Sequence, residues 1–192
     1  MNETKYYIQK AHKRTVFFHI DGRGERQFFL QLPNILFKIP YKIKSNNYLF
    51  NQESFCVYFI KKQYDPSESN VLLHENSCIP FEVTIPPFGN STYFSVCLGE
   101  ELEYYYQNAK FDSIEELTQN VIKNYWQSRF DDFSYNPIKK ECFFYNWEKE
   151  TKTNKPFDFN LIKEKVNFLP FEINKEKLMP TITRSIHSYC GH

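Results

Sequence analysis

Large flat rings dominate this sequence and alanine is nearly absent from it: 20 Phe and 14 Tyr stand against two alanines, Ala11 and Ala109. A ring buries a large area and packs by face or edge. Aromatic residues suit a pleated surface better than the tight helix-on-helix contact that small residues allow. A core of rings therefore points to sheet packing with helices laid against it. At 192 residues the chain is sized for one substantial core, and residues 1–192 read as a single domain.

Charge and cysteine usage narrow the partners. The 24 basic and 23 acidic residues give no field of one sign that would gather nucleic acid or an anionic membrane. The basic run His12-Lys13-Arg14 is too short for a nucleic-acid footprint and reads as an exposed strand end or loop. The start, Met1-Asn2-Glu3-Thr4-Lys5, is polar, and no apolar run reaches bilayer-crossing length. Cys56, Cys78, Cys97, Cys142 and Cys190 are odd in number and lack CxxC spacing, which argues for reduced thiols and a cytoplasmic setting. With no phosphate-binding glycine loop, HExxH or GxSxG pattern, no cofactor is expected.

Strand-like runs occupy residues 5–20, ended by Asp21-Gly22-Arg23-Gly24, then 27–43 with interruptions at Pro33 and Pro40, 55–61 and 78–85. Polar connections at 44–47 and 65–70 suit an antiparallel meander. Pro86-Pro87 ends the last strand, because proline donates nothing to a ladder, and predicts loop beyond it. The spacing of Ile114, Leu117, Val121, Ile122, Tyr125, Trp126 and Phe130 predicts an amphipathic helix over 113–129. Ser113 would cap its first amides while Glu116 reaches back to the Ser113 N–H. Beyond it come the aromatic stretch 142–147, a hydrophilic loop over 148–155, a short helix over 158–166 and a proline-punctuated tail. Strands first and helices later make an α+β fold.

One segment carries the pattern of a reaction site: Ile85-Pro86-Pro87-Phe88-Gly89-Asn90, then Ser91 to Ser95, then Val96-Cys97-Leu98-Gly99. It resembles the active-site segment of ubiquitin-conjugating enzymes, where a His-Pro-Asn motif follows the fourth strand and precedes the catalytic cysteine. It is most similar to prokaryotic ubiquitin-conjugating-like family D, the group of the PRTRC system protein B. There a Pro-Phe-x-Asn-like turn, a Val-Cys-Leu-Gly or Val-Cys-Trp-Gly run and a helix ending in Trp/Phe-x-Ser-x-Phe follow in order. Pro87-Phe88-Gly89-Asn90, Val96-Cys97-Leu98-Gly99 and Trp126-Gln127-Ser128-Arg129-Phe130 match these, and Leu32-Pro33-Asn34-Ile35-Leu36-Phe37 is similar to the entry into the first shared strand.

The resemblance implies a ubiquitin-conjugating-like core over 27–133 with a C-terminal extension over 137–192, in a bacterial or mobile-element system. It implies a thioester relay in which Cys97 accepts the terminal carboxyl of a ubiquitin-like protein from an activating enzyme, while Asn90 donates to the oxyanion as an amine attacks. The chain departs from the family where those groups act. Phe88-Gly89 stands in place of His-Pro, the interval from Asn90 to Cys97 is one residue shorter than the family's, and Thr92-Tyr93-Phe94-Ser95 replaces an acidic-Gly turn. Glu100, Glu101 and Glu103 follow the cysteine, and neighbouring carboxylates raise a thiol pKa.

Plainer readings stand beside these. Free cysteine is among the most buried residue types, so Cys97 also reads as core filling on a non-catalytic protein-binding or structural module of the same fold. Asn90 beside glycine also reads as a turn residue. His187, Cys190 and His192 lack a fourth ligand for a closed zinc shell and read as tail, with no metal expected. His74-Glu75 reads as a solvated loop.

Overall fold

The first ladder runs unbroken in register through almost the whole of two strand pairs. A computed structural model describes residues 2–20, 24–60, 70–78, 84–85, 95–96, 98–128, 130–131, 143–153, 155–161 and 169–174. Strand β1 (Asn2–Gln9) pairs antiparallel with β4 (Asn34–Lys44), from Asn2↔Lys42 to Gln9↔Ile35. Strand β2 (His12–Ile20) pairs with β3 (Gly24–Leu32), from His12↔Leu32 to Ile20↔Gly24. The same register serves both pairs, so the four strands are two arms of one long hairpin, bent where Ala11 faces Pro33. Proline has no N–H to give. The Ala11 amide donates to the Asn34 side-chain oxygen at 2.8 Å.

The bend divides the strands between two sheets. The outer half joins a six-stranded sheet in the order β1-β4-β6-β7-β11, with β6 (Cys56–Ile60), β7 (Asn70–Cys78) and β11 (Leu169–Asn174); β5 (Asn47–Phe50) also pairs with β4. The inner half forms a second sheet, β10-β2-β3, in which β10 (Phe130–Asp131) lies parallel to β2. Pro40 sits inside β4, between the stretch paired with β6 and the stretch paired with β5. Its carbonyl accepts from Asn51 N at 3.0 Å, so its ring nitrogen faces the β5 and β6 side and the ladder to β1 loses no bond there. Ser45 (φ 50) and Asn46 (φ 62) turn β4 into β5, both left-handed as a two-residue type I′ turn requires.

Helix α1 (Glu100–Asn108), helix α2 (Ile114–Gln127) and helix α3 (Phe143–Thr151) complete the fold. The core collects Ile35, Phe37, Ile39 and Tyr41 of β4, Val57 and Phe59 of β6, Phe28, Leu30 and Leu32 of β3, and Leu117, Val121, Ile122, Tyr125 and Trp126 of α2. Phe144 and Trp147 of α3 close it. The alternate residues Leu36, Cys56, Tyr58 and Ile60 are buried too, so the centre of the large sheet is covered on both faces. Trp126 donates its indole N–H to Gln9 Oε1 at 3.0 Å and lies under the Arg14 guanidinium at 4.4 Å, which locks α2 to the bent hairpin.

Strand edges attract other strands unless they are covered, and α3 covers that of β3 with side chains. Glu148 Oε1 accepts from Phe29 N, the Thr151 hydroxyl accepts from Gln31 N, and the Trp147 indole donates to Gln31 O, each at 2.8 Å. The Thr151 hydroxyl in turn donates to Trp147 O at 2.9 Å.

The α+β expectation holds, as does the long helix. Ser113 Oγ accepts from Glu116 N at 3.1 Å, and Glu116 Oε2 takes the Asp112 amide, one residue before the one expected. Other expectations are corrected. Residues 100–108, read as part of an irregular segment, are helical. The chain at 143–151, read partly as loop, is helical as well. Strand β7 lies upstream of the expected 78–85 and contains His74-Glu75, which is therefore not loop. Strand β8 (Thr84–Ile85) pairs with β9 (Ser95–Val96), so the chain after Pro86-Pro87 returns to a ladder. The short helix expected over 158–166 is a 3₁₀ turn at Phe159–Leu161 in its described part, and the tail contributes β11. His12-Lys13-Arg14 is a strand end as expected, opening β2, but Arg14 is half-buried and packs on Trp126.

Replacing Thr151 by Val keeps the shape and strips the hydroxyl, leaving the Gln31 amide without its acceptor. Thr151→Val should lose ~1–3 kcal/mol in urea titration, while Thr151→Ser, which keeps the oxygen, should lose at most about 1 kcal/mol. Equal losses in the two variants would show that α3 is not held by this bond.

Candidate functional site

Cys97 and Asn90, the two residues singled out as catalytic, lie outside the described residues, as do His187, Cys190 and His192. The structure does define the chain on both sides of Cys97. Upstream, Val96 ends β9, pairs with Thr84 and donates its amide to Phe55 O at 2.8 Å. Downstream, Leu98 leads into Gly99. Val96 and Leu98 are each 7% exposed and belong to the main core, so the backbone is anchored on either side of the cysteine.

Gly99 begins α1. Its φ of +82 is a conformation that side chains with a Cβ rarely adopt, and its carbonyl accepts the first helical bond, from Glu103 N at 3.0 Å. Glu100, Glu101 and Glu103 occupy the first turn, where the free amides of a helix favour negative charge. Past the end of α1, Phe111 and Tyr48 of β5 exchange backbone bonds of 2.8 and 3.1 Å. A nine-residue helix is thus strung between two backbone ties to the sheet region.

What seats α1 is a polar cluster on α2. Tyr106 packs its ring edge-on against Phe50, 4.7 Å between centroids. Its hydroxyl donates to Asn120 Oδ1 at 3.1 Å and accepts from Asn124 Nδ2 at 2.9 Å. Asn124 Nδ2 also reaches Asn120 Oδ1 at 3.1 Å, and Asn120 Nδ2 donates to the Tyr105 hydroxyl at 3.3 Å. Burial raises the Tyr106 pKa above its ordinary 10.0, against the opposing pull of the Asn124 bond. The hydroxyl therefore stays a donor at neutral pH. A search for apolar periodicity passes over Asn120 and Asn124; their spacing of one helical turn, on the rim of the apolar face, was the signal available.

Elsewhere a cleft of about 120 Å³ opens beside α3, lined by Gln31, Trp147, Thr151, Lys155 and Phe157 among others. Phe17 and Phe29 are exposed on the outer face of the β2–β3 ladder, and Tyr104 and Tyr105 on α1. Among the described residues no helix is long and apolar enough to cross a membrane, and no three His, Cys, Asp or Glu side chains converge as a metal site would require. Compared with protein-family models, curated proteins and solved structures, the chain matches none.

Three of the buried phenols should weaken this fold at alkaline pH. Burial raises Tyr106, Tyr41 and Tyr7; for Tyr41 a hydrogen bond to Glu3 and that carboxylate's charge add to the effect. The Tyr41 hydroxyl donates to Glu3 Oε2 at 2.6 Å. A folded pKa above the unfolded one stabilises fully below the unfolded value and is lost as pH climbs through the folded one. The urea midpoint should therefore fall as pH rises beyond the ordinary phenol value of 10.0, and Tyr106→Phe and Tyr41→Phe should each flatten that decline. An alkaline limb identical in wild type and both variants would contradict this origin.

Proposed function

We propose that the chain is a ubiquitin-conjugating-like carrier that holds the C-terminal acyl group of a ubiquitin-like protein as a thioester on Cys97. The observation that carries the reading is the order of parts around that cysteine. A sequential antiparallel run of β4, β6 and β7 comes first, followed by a proline-led segment. Then come β9 tied to Phe55, a cysteine between two buried neighbours, and a helix opening at Gly99, with α2 across the core beyond. The resemblance to the family D branch, in a bacterial or mobile-element system, implies strands, a proline-led turn, the cysteine run and the helix ending at Trp126 in that order, with α1 an addition between the last two.

In the proposed reaction an activating enzyme spends ATP to make its own thioester with the ubiquitin-like protein. The Cys97 thiolate attacks that carbonyl, the enzyme's thiol leaves, and the acyl group now rests on Cys97. An amine then attacks, an amide forms, and Cys97 is released as a thiol. Asn90 would donate its side-chain amide to the oxyanion of the second step, a kind of contact worth ~3 kcal/mol. The positive end of the α1 dipole begins two residues past Cys97 and offsets the glutamates of its first turn.

A second reading, a non-catalytic protein-binding or structural module with Cys97 packed inside, draws on the burial of Val96 and Leu98 and on Phe88-Gly89 in place of His-Pro. One assay separates the two. Full-length chain is mixed with ATP and with an activating enzyme and a ubiquitin-like protein sought among the products of its neighbouring genes, and run on non-reducing gels. The carrier reading expects an adduct that thiol reductant removes and Cys97→Ala abolishes. Asn90→Ala should load normally and discharge to free amine ~10²-fold more slowly. Absence of an adduct, or one that persists in Cys97→Ala, leaves the binding module.

A further inference from the structure

Helix α1 is short and mostly bare. Of its nine residues Tyr106 is buried and Leu102 half-buried, while Tyr104 is 73% exposed. A helix of this length does not persist on its own propensity and takes its stability from tertiary contacts. Ring packing of Tyr106 on Phe50 supplies attraction, yet edge-on rings tolerate sliding and rotation. The hydrogen bonds do not: the Tyr106 hydroxyl fits between Asn120 Oδ1 and Asn124 Nδ2 in one register of α1 against α2.

We propose that Tyr106, Asn120 and Asn124 form a positioning pin that fixes α1 on α2 and, through Gly99 and Leu98, fixes the backbone adjoining Cys97. The inference deepens the carrier reading and rests on it for the role of Cys97; the mechanical part concerns α1 itself. Two ties already hold the ends of this unit, at Val96 to Phe55 O and at Phe111 to Tyr48. Between them, the directional bonds described from α1 to another element are those of Tyr106 and the longer one from Asn120 Nδ2 to the Tyr105 hydroxyl at 3.3 Å, all of them on Asn120 and Asn124. Tyr106 is thus the point where α2 sets the pose of the turn that follows the cysteine, and the three residues act on the chemistry through that pose, touching no substrate.

The test compares full-length wild type with Tyr106→Phe, which keeps the ring and removes the hydroxyl, and with Asn124→Ala, after circular dichroism shows each to be folded. Amide exchange is followed by mass spectrometry across α1. Iodoacetamide labelling is followed at Cys97 and, as internal reference, at the buried Cys56. The pin predicts exchange in α1 about five- to tenfold faster in both variants, and a Cys97 labelling rate changed by about threefold or more with Cys56 unchanged. Labelling of Cys56 and Cys97 accelerating in step would mean general loosening and overturn the proposal. So would faster α1 exchange with an unmoved Cys97 rate, or no change in either. Should wild type form no thioester yet pass this test, the carrier reading falls and the pin stands.

Discussion

Between the paired stretches Gln9↔Ile35 and His12↔Leu32 stand Ala11 and Pro33, and there the longest ladder of the fold gives way to a bend. Pro33 has no N–H to give the ladder, and the Ala11 amide donates to the Asn34 side-chain oxygen. Everything that packs depends on this turn. One hairpin continued straight would offer a single flat ribbon. Bent, it delivers Val16, Phe28, Leu30 and Leu32 from its inner half and Tyr7, Ile35, Phe37 and Ile39 from its outer half to one core. Helices α2 and α3 then bury their apolar faces against both halves at once.

Inside that core the rings touch in sequence. Tyr7 meets Phe37, Phe37 meets Tyr125, Tyr125 meets Phe55, Phe55 meets Phe50 and Phe50 meets Tyr106, at centroid distances from 4.7 to 6.3 Å. Most of these pairs are edge-on, the arrangement the ring quadrupole favours and worth about 0.5–1.5 kcal/mol beyond burial. A chain with two alanines rarely brings helix backbones close on small apolar contacts, and rings solve the packing by reaching across wider gaps. A second path, Phe59 to Trp147 to Phe144 to Phe28, ties α3 to both sheets.

What could be read from residues alone followed how local the cause was. The α2 helix carries its own instructions, a Ser113 cap and a three-and-four apolar spacing, and it forms where those say. The β4–β5 turn announces itself through Ser45-Asn46. Helix α3 was missed because Phe143 to Trp147 resembles a strand in composition, and its helical spacing of Phe144, Trp147 and Thr151 matters only once β3 offers an edge to cover. Strand β7 includes the polar run His74 to Ser77 and has its form from neighbours on both sides, β6 and β11. Strand β11 contains Pro170, and its register shifts between Leu169 and Phe171, where a proline is tolerated. Partners far along the chain decided these elements. Near the candidate site the seat of α1 was not legible, because it depends on Asn120 and Asn124 meeting Tyr106 across two helices.

That seat explains why polar side chains occupy a boundary in a protein otherwise filled with rings. Apolar contact around Val96 and Leu98 holds the chain near Cys97 in the core but imposes no single rotation on the helix that follows. A hydroxyl bonded to two amides does impose one, since any slip leaves a partly buried donor or acceptor unpaired at a cost of about 1–3 kcal/mol. Gly99 completes the arrangement by letting the chain turn into α1 with a positive φ, which a residue with a Cβ adopts only under strain. Burial places the backbone on either side of the cysteine, and hydrogen bonding fixes the rotation of the helix that follows it.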